Sequence, residues 1–243
     1  MRQPERILCV LGMHRSGTSC LTGSLQQGGL FLGKHHTWNE YNRKGNRENQ
    51  DIVDLHENIF KANGVSWHYP VRCSSWYERL FKPQLKWRNS DYEQARKILD
   101  DYADQPIWGF KDPRALMLLD GWLKVAPHME FVGIYRHPMA VAQSLHNREA
   151  LKLEIAHGLE LWLQYNTALF RQFRKTPFPL LSFDWSEEKF HDKLEQLHKQ
   201  LGLAALPEGQ RFYTAELHNE KITTAALPPK VQALYEKFQE IEY

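Results

Sequence analysis

The run Gly12-Met13-His14-Arg15-Ser16-Gly17-Thr18-Ser19 has the residue types needed to hold an oxyanion. Glycines let backbone N–H groups turn inward, and a helix beginning at the end of such a loop adds partial positive charge. The G-x-x-x-x-G spacing is followed by Thr18-Ser19 and not by Lys-Ser/Thr, so the lysine that grips the terminal phosphates of ATP is missing from its usual place. A cation stands earlier instead, at Arg15. Two further segments carry charge at comparable positions. In Tyr135-Arg136-His137-Pro138, an apolar run ends in an arginine, Pro138 suits the first position of a helix, and Ser144 falls in its second turn. An arginine fork with a hydroxyl clamps a phosphate monoester. In Trp108-Gly109-Phe110-Lys111-Asp112-Pro113-Arg114, another apolar run ends in a charged cluster.

The elements that must position these residues are legible. Strand-like apolar runs occupy 7–11, 106–110, 131–135 and 179–183, and helical patterns follow at 18–27, 116–125, 139–148 and 187–201. Strands alternating with helices predict right-handed crossovers and an α/β fold with a parallel sheet flanked by helices. Ligands of such sheets bind beyond the carboxyl ends of the strands, where Gly12, Lys111 and Arg136 fall. Residues 29–105 read as an insertion after the first βα unit, helical at 50–63 and 91–102. The insertion and the strand after it carry five tryptophans between Trp38 and Trp108. The insertion also holds Lys34, Arg43, Lys44, Arg47, Arg72, Arg79, Lys82, Lys86 and Arg88. A long helix is predicted at 153–174 and a short amphipathic one after Leu227-Pro228-Pro229.

Together the three segments resemble the P-loop-type sulfotransferase family that uses 3'-phosphoadenylyl sulfate (PAPS). The resemblance runs from Arg6 to about Leu203, closer to the bacterial and carbohydrate-type members. His14-Arg15-Ser16-Gly17-Thr18-Ser19 resembles the family's 5'-phosphosulfate loop, and Arg136-x-Pro with Ser144 resembles its 3'-phosphate motif. Lys111-Asp112-Pro113-Arg114 is similar to a run common in bacterial members. The resemblance implies that residues 1–243 form a single sulfotransferase domain, with residues 29–105 as the acceptor-side lobe. It implies PAPS as donor, adenosine 3',5'-bisphosphate as product and no metal. His14, Arg15, Ser16, Gly17, Thr18, Ser19, Arg136 and Ser144 would bind the nucleotide, with the Thr18 and Ser19 hydroxyls on the 5'-phosphosulfate. Charge grows on the bridging oxygen as the sulfuryl group leaves, and a fixed cation in a dry site stabilises it by several kcal/mol. Arg15 is the candidate there, with Lys111 at the sulfuryl oxygens. Glu48, in Lys44-Gly45-Asn46-Arg47-Glu48-Asn49-Gln50, is the candidate base; carbohydrate-type members similarly place a glutamate about thirty residues after the loop, opening a helix. A glutamate in a first helical turn also stabilises that helix, so position alone leaves both roles open. His14, Asp112 and His56 are lesser base candidates. The family's Arg-Lys-Gly element near the C-terminus has no clear counterpart; residues 211–221 are the nearest segment.

Composition bounds the alternatives. Of 243 residues, 31 are Lys or Arg and 29 Asp or Glu, a net charge of +2 that argues against nucleic-acid binding through a basic surface. Three cysteines without a CxxC pair fit a reducing compartment, with Cys9 and Cys20 as small buried residues. No signal peptide or membrane span is read, so a cytoplasmic enzyme is expected, although a secreted or Golgi enzyme with its leader removed would read the same. The partner expected is a small-molecule or glycan acceptor offering a hydroxyl, and the basic residues of the insertion favour an acidic one. Asp184 mimics the aspartate of an ATP- and Mg²⁺-dependent P-loop kinase, yet also suits a turn or the cap of the helix near Glu187. A non-catalytic nucleotide-binding protein is the other rival. His35-His36 reads as a solvated loop, and the twelve histidines show no zinc spacing.

Overall fold

The structure, a computed structural model, describes residues 2–37, 45–70, 85–148, 152–205 and 226–241. Its strands are β1 (Arg6–Leu11), β2 (Ile107–Lys111), β3 (Glu130–Tyr135) and β4 (Leu180–Ser182). The helices are α1 (Thr18–Gln27), α2 (Gln50–Ala62), α3 (Asn89–Asp101), α4 (Leu119–Val125), α5 (Pro138–His146), α6 (Ile155–Lys175), α7 (Glu187–Leu201) and α8 (Pro229–Gln239). All strand pairs are parallel, in the order β2-β1-β3-β4. Leu8 is level with Gly109 on one side and Glu130 on the other, so β2, β1 and β3 end at one edge.

Buried strands alternate their side chains between two faces. Ile7, Cys9 and Leu11 of β1 join one core with Ile52, Leu55 and Ile59 of α2, Trp162 and Leu169 of α6, and Phe238 of α8. Leu8 and Val10 join the other, with Leu21 and Leu25 of α1 and Phe190, Leu194 and Leu197 of α7. Helices thus cover both faces. Cys9 and Cys20 are buried; Cys73 lies outside the described residues.

The predicted strands and helices recur within a few residues, with one correction. The helix expected at 116–125 is split into a 3-10 turn, Pro113–Met117, and α4. Asp112 causes the break: its Oδ1 accepts the Arg114 N–H at 2.9 Å, tightening the chain just after β2. Helix α7 begins and ends as its sequence dictates. The Ser186 side chain accepts from the Lys189 N–H, and Gly202 closes the helix with a left-handed φ of 69°.

Gly12 is required where β1 becomes the loop. A Cβ there would stand 2.6 Å from the Ile134 carbonyl oxygen, so the loop presses directly on the β3 backbone. Gly17 is left-handed at φ 86°, and a Cβ on it would meet the Phe183 ring at 2.3 Å. The turn that starts α1 therefore rests flat on an aromatic ring after β4.

Candidate active site

The sheet order fixes the layout of the site. The Gly12–Ser19 loop leaves the central strand β1, with Lys111 ending β2 on one side and Arg136 following β3 on the other. At about 4.8 Å per strand, those flanking strands lie roughly 10 Å apart.

The loop has the features of an anion cradle. Ser16 N–H donates to the Met13 carbonyl at 3.2 Å, closing the turn, and Arg15 sits at φ 67°. Gly17 provides no side-chain cap for α1, and the first amides of a helix have no partner inside it. The Ser16 hydroxyl and His14 Nδ1 are buried without a hydrogen-bond partner among the described residues. Orphaned polar atoms beside an uncapped helix start fit a negatively charged ligand. Thr18 is buried in the first turn of α1. The Ser19 hydroxyl donates to the Asn46 carbonyl at 3.2 Å, which ties the loop to the segment carrying Glu48.

On the β3 side, Arg136, Ser144 and Arg15 come together. Arg15 Nε donates to Ser144 Oγ at 2.8 Å, and Arg136 Nη1 donates to the Arg15 carbonyl at 3.3 Å. The Arg136 guanidinium lies over the Phe183 ring, 5.4 Å from its centre. Arg15 thus links Arg136 to Ser144, a juncture that sequence spacing missed.

On the β2 side, Lys111 Nζ donates to Glu48 Oε1 at 2.7 Å; Lys111 is 2% exposed and Glu48 15%. Helix α2 starts two residues later than a first-turn glutamate requires. Asn49 is its cap, accepting from the Asp51 N–H, so Glu48 stands outside the helix. Its carbonyl accepts from the His36 N–H at 3.0 Å, and its carboxylate is turned to the buried lysine. Glu48 is held by tertiary contacts.

Two of the lesser base candidates, Asp112 and His56, are accounted for by other bonds. Asp112 Oδ2 accepts from His56 Nδ1 at 2.9 Å and from Arg114 Nε at 3.1 Å, and Arg114 Nη1 reaches Glu57 at 2.9 Å. Trp122 Nε1 donates to His56 Nε2 at 2.8 Å, fixing the His56 tautomer with its proton on Nδ1. Burial works against the Asp112 charge, but Arg114 and His56 outweigh it and hold the carboxyl well below the usual carboxylate range. This network brackets the end of β2 and holds Lys111 in place; from sequence, only the proximity of Asp112 to Arg114 hinted at it. Burial, with the charges of Arg114 and Lys111, lowers the His14 ring well below an ordinary histidine, leaving it a poor proton acceptor.

Asp184 lies in the turn after β4, and Ser186 is the cap of α7. Asp184 Oδ2 instead accepts the His137 N–H at 2.5 Å, steadying the start of α5 beside Arg136. Burial pushes its carboxyl up to about 6, against the opposing pull of the His137 N–H and the Arg136 charge. The folded chain therefore holds this proton more tightly than the unfolded chain. Its contribution to stability is fullest below pH ~4 and is lost as pH rises through about 6. Urea unfolding across that range should show wild type losing roughly 3 kcal/mol relative to Asp184→Asn; parallel profiles would refute the assignment.

Of the insertion's aromatic residues, Trp87 packs on Tyr92 and Trp122 within the core, and Trp108, on β2, stacks between Tyr102 and Phe110. Trp67 lies against His14, ring centres 4.3 Å apart. Trp38, Arg43, Lys44, Arg72, Arg79, Lys82 and residues 211–221 lie outside the described residues. Arg47 Nε donates to Gln26, and Arg88 pairs with Asp91. The His35 Nδ1 and the Gly33 carbonyl are 2.8 Å apart. Among the described residues, no group of three or more His, Cys, Asp and Glu side chains is placed to hold a metal ion, and no helix is long and apolar enough to cross a membrane.

Comparison with solved structures gives the fold a name. The sulfotransferase domain of the Synechococcus olefin synthase superposes with a TM-score of 0.58 at 17% identity, covering 100% of this chain and 98% of that one. The chain has the sulfotransferase fold. A sulfotransferase from Alicyclobacillus acidocaldarius matches over 98% of this chain and 92% of its own, with a TM-score of 0.52 at 11% identity. Sulfotransferase STF1 from Mycobacterium tuberculosis gives 0.50 at 16% identity, over 98% of this chain and 77% of that one. No protein-family model and no curated protein matches the chain. At these identities the likeness is one of architecture, and chemistry must be argued from the residues.

Proposed function

We propose that this chain transfers the sulfuryl group of PAPS to an acceptor hydroxyl, with residues 1–243 as one catalytic domain and residues 29–105 shaping the acceptor side. The observation that carries the reading is the sheet order. It sets an uncapped anion loop between an arginine–serine cluster on one flank and a lysine–glutamate pair on the other. A donor with phosphate at both ends of a ribose and a transferable group at one end has that same sequence of needs.

In this reading Arg136 and Ser144 hold the 3'-phosphate. The loop from His14 to Ser19, with the start of α1, holds the 5'-phosphosulfate. Arg15, already bonded to Ser144, links the two anion sites and steadies charge on the departing phosphate. PAPS supplies an activated sulfuryl group that needs no metal for its transfer. Glu48 takes the proton from the acceptor hydroxyl, and the acceptor oxygen attacks sulfur in line. Lys111 donates to sulfuryl oxygens while keeping the Glu48 carboxylate aimed. General-base catalysis of this kind is worth about 10²–10⁴-fold, and electrostatic stabilisation in a dry site adds several kcal/mol. The near-neutral net charge supports an acceptor that is a small molecule or glycan and not a nucleic acid. The sparse set of three cysteines without a CxxC pair supports the cytoplasm as its compartment.

Thermal unfolding with adenosine 3',5'-bisphosphate beside ATP–Mg²⁺ tests the reading. A nucleotide at 100 times its Kd stabilises the folded state by about 2.7 kcal/mol, and only the bisphosphate should do so. Stabilisation by ATP–Mg²⁺ alone would point to a kinase. Bisphosphate binding without transfer to any of a panel of sugars, phenols and lipids would point to a non-catalytic nucleotide-binding protein.

A further inference from the structure

We infer that the turn Ser66-Trp67-His68-Tyr69 is a stacking platform for an uncharged ring that bears the acceptor hydroxyl, either a phenol or a pyranose. The inference deepens the sulfuryl-transfer reading and rests on it for the fate of that hydroxyl. Binding of the ring itself is a separate, measurable matter.

Tight turns are ordinarily built from Gly, Pro, Asn, Asp and Ser, which suit the backbone and the solvent. Here three consecutive rings occupy one. The turn is closed by its own backbone, Ser66 N–H to the Tyr69 carbonyl at 3.2 Å and Tyr69 N–H to the Ser66 carbonyl at 3.1 Å. It is then strapped to α6 by two side chains eight residues apart. Tyr165 donates its hydroxyl to the Trp67 carbonyl at 2.9 Å, and His157 Nε2 donates to the His68 carbonyl at 2.8 Å. The side chains are left to point elsewhere, and they form a continuous strip. Trp67 lies on His14 of the phosphate loop at 4.3 Å, His68 stands 5.1 Å from Trp67, Tyr69 5.0 Å from His68, and Tyr69 4.6 Å from His157.

The strip runs from the anion loop outward and ends in the open. Tyr69 is 57% exposed, and among the described residues only Phe31 is another exposed large apolar side chain. A purely structural ring cluster would bury that end, because an aromatic side chain gains most from losing contact with water. Aromatic faces attract the C–H faces of sugars and the edges or offset faces of other aromatic rings. Burial lowers both His14 and His68 below the ordinary histidine value, so these two rings of the strip are uncharged near neutrality. That favours a neutral ring. The acidic acceptor expected from the basic residues of the insertion rested largely on Arg43, Lys44, Arg72, Arg79 and Lys82, outside the described residues.

Saturation-transfer NMR on the full chain, with 4-methylphenol, methyl β-D-glucopyranoside and 1-hexanol as probes, tests the platform. At least one ring probe should bind saturably, and which one does so separates an aryl from a sugar source. Tyr69→Ala should weaken that probe about three- to tenfold, the span of an aromatic contact, and Tyr69→Phe should restore it. Tyr69 is exposed and the turn is closed by backbone bonds, so the variant keeps the fold; Trp67→Leu supplies a second, more disruptive test in the same direction. Saturable binding by neither ring, an unchanged Kd in Tyr69→Ala, or equal binding of hexanol would overturn the platform. Adenosine 3',5'-bisphosphate affinity is read on the same samples. Its absence in wild type, with ring binding intact and sensitive to Tyr69, would refute the nucleotide reading and leave the platform standing.

Discussion

Glu48→Gln should reduce sulfuryl transfer about 10²–10⁴-fold, the usual return on a positioned base, while adenosine 3',5'-bisphosphate affinity stays close to that of wild type, because Glu48 is assigned to the acceptor and not to the nucleotide. The difficulty is Lys111. It is buried and bonded to Glu48, and removing one member of a buried ion pair can destabilise a protein by about 3–5 kcal/mol. Lost activity could then reflect lost fold. The glutamine keeps an oxygen for Lys111 to donate to, which softens the effect, and the double variant Glu48→Gln with Lys111→Met removes the orphaned charge altogether. Stability should recover in the double variant, and turnover should not. A Glu48→Gln enzyme that turns over at the wild-type rate on an acceptor with an ordinary alcohol pKa removes Glu48 from the chemistry and leaves it as the partner that keeps Lys111 buried.

Arg136→Ala should produce the largest change in binding. Truncating one member of a buried, hydrogen-bonded charge pair costs about 2–5 kcal/mol, or roughly 30- to several-thousandfold in affinity at 1.4 kcal/mol per factor of ten. The loss should fall on adenosine 3',5'-bisphosphate and spare adenosine 5'-monophosphate, because only the former carries the phosphate that Arg136 and Ser144 are proposed to clamp. Arg136 also donates to the Arg15 carbonyl and lies over Phe183, so some loosening of the loop is expected and would weaken both nucleotides equally. The ratio of the two affinities isolates the clamp. Isothermal titration with both nucleotides measures it, and equal losses for the two would assign Arg136 to holding the loop alone.

Much of this was legible in the chain itself, for definite reasons. The Gly12–Ser19 loop could be read because its backbone has few solutions: a left-handed Gly17 and a Gly12 pressed on the β3 backbone leave little freedom in residue type. Strands with both faces buried are written as continuous apolar runs, and the capped α7 carries its signals at Ser186 and Gly202. Arg136 and Ser144 could be placed near one sheet edge because both belong to one strand–helix unit.

Other features were out of reach. Glu48 and Lys111 are separated by 63 residues and meet through a carboxylate–ammonium bond that no local spacing encodes. Arg15 reaches Ser144 across 129 residues, and Trp67 comes to rest on His14 only because α6 ties its turn down. The chain's own letters determined the strand–loop–helix units and the cations and hydroxyls that stand at their ends, since backbone conformation and burial periodicity act over a few residues. Tertiary structure alone decided which charged ends neighbour one another and which ring stays exposed, because strand order and long-range packing are set by the whole core and not by any one segment.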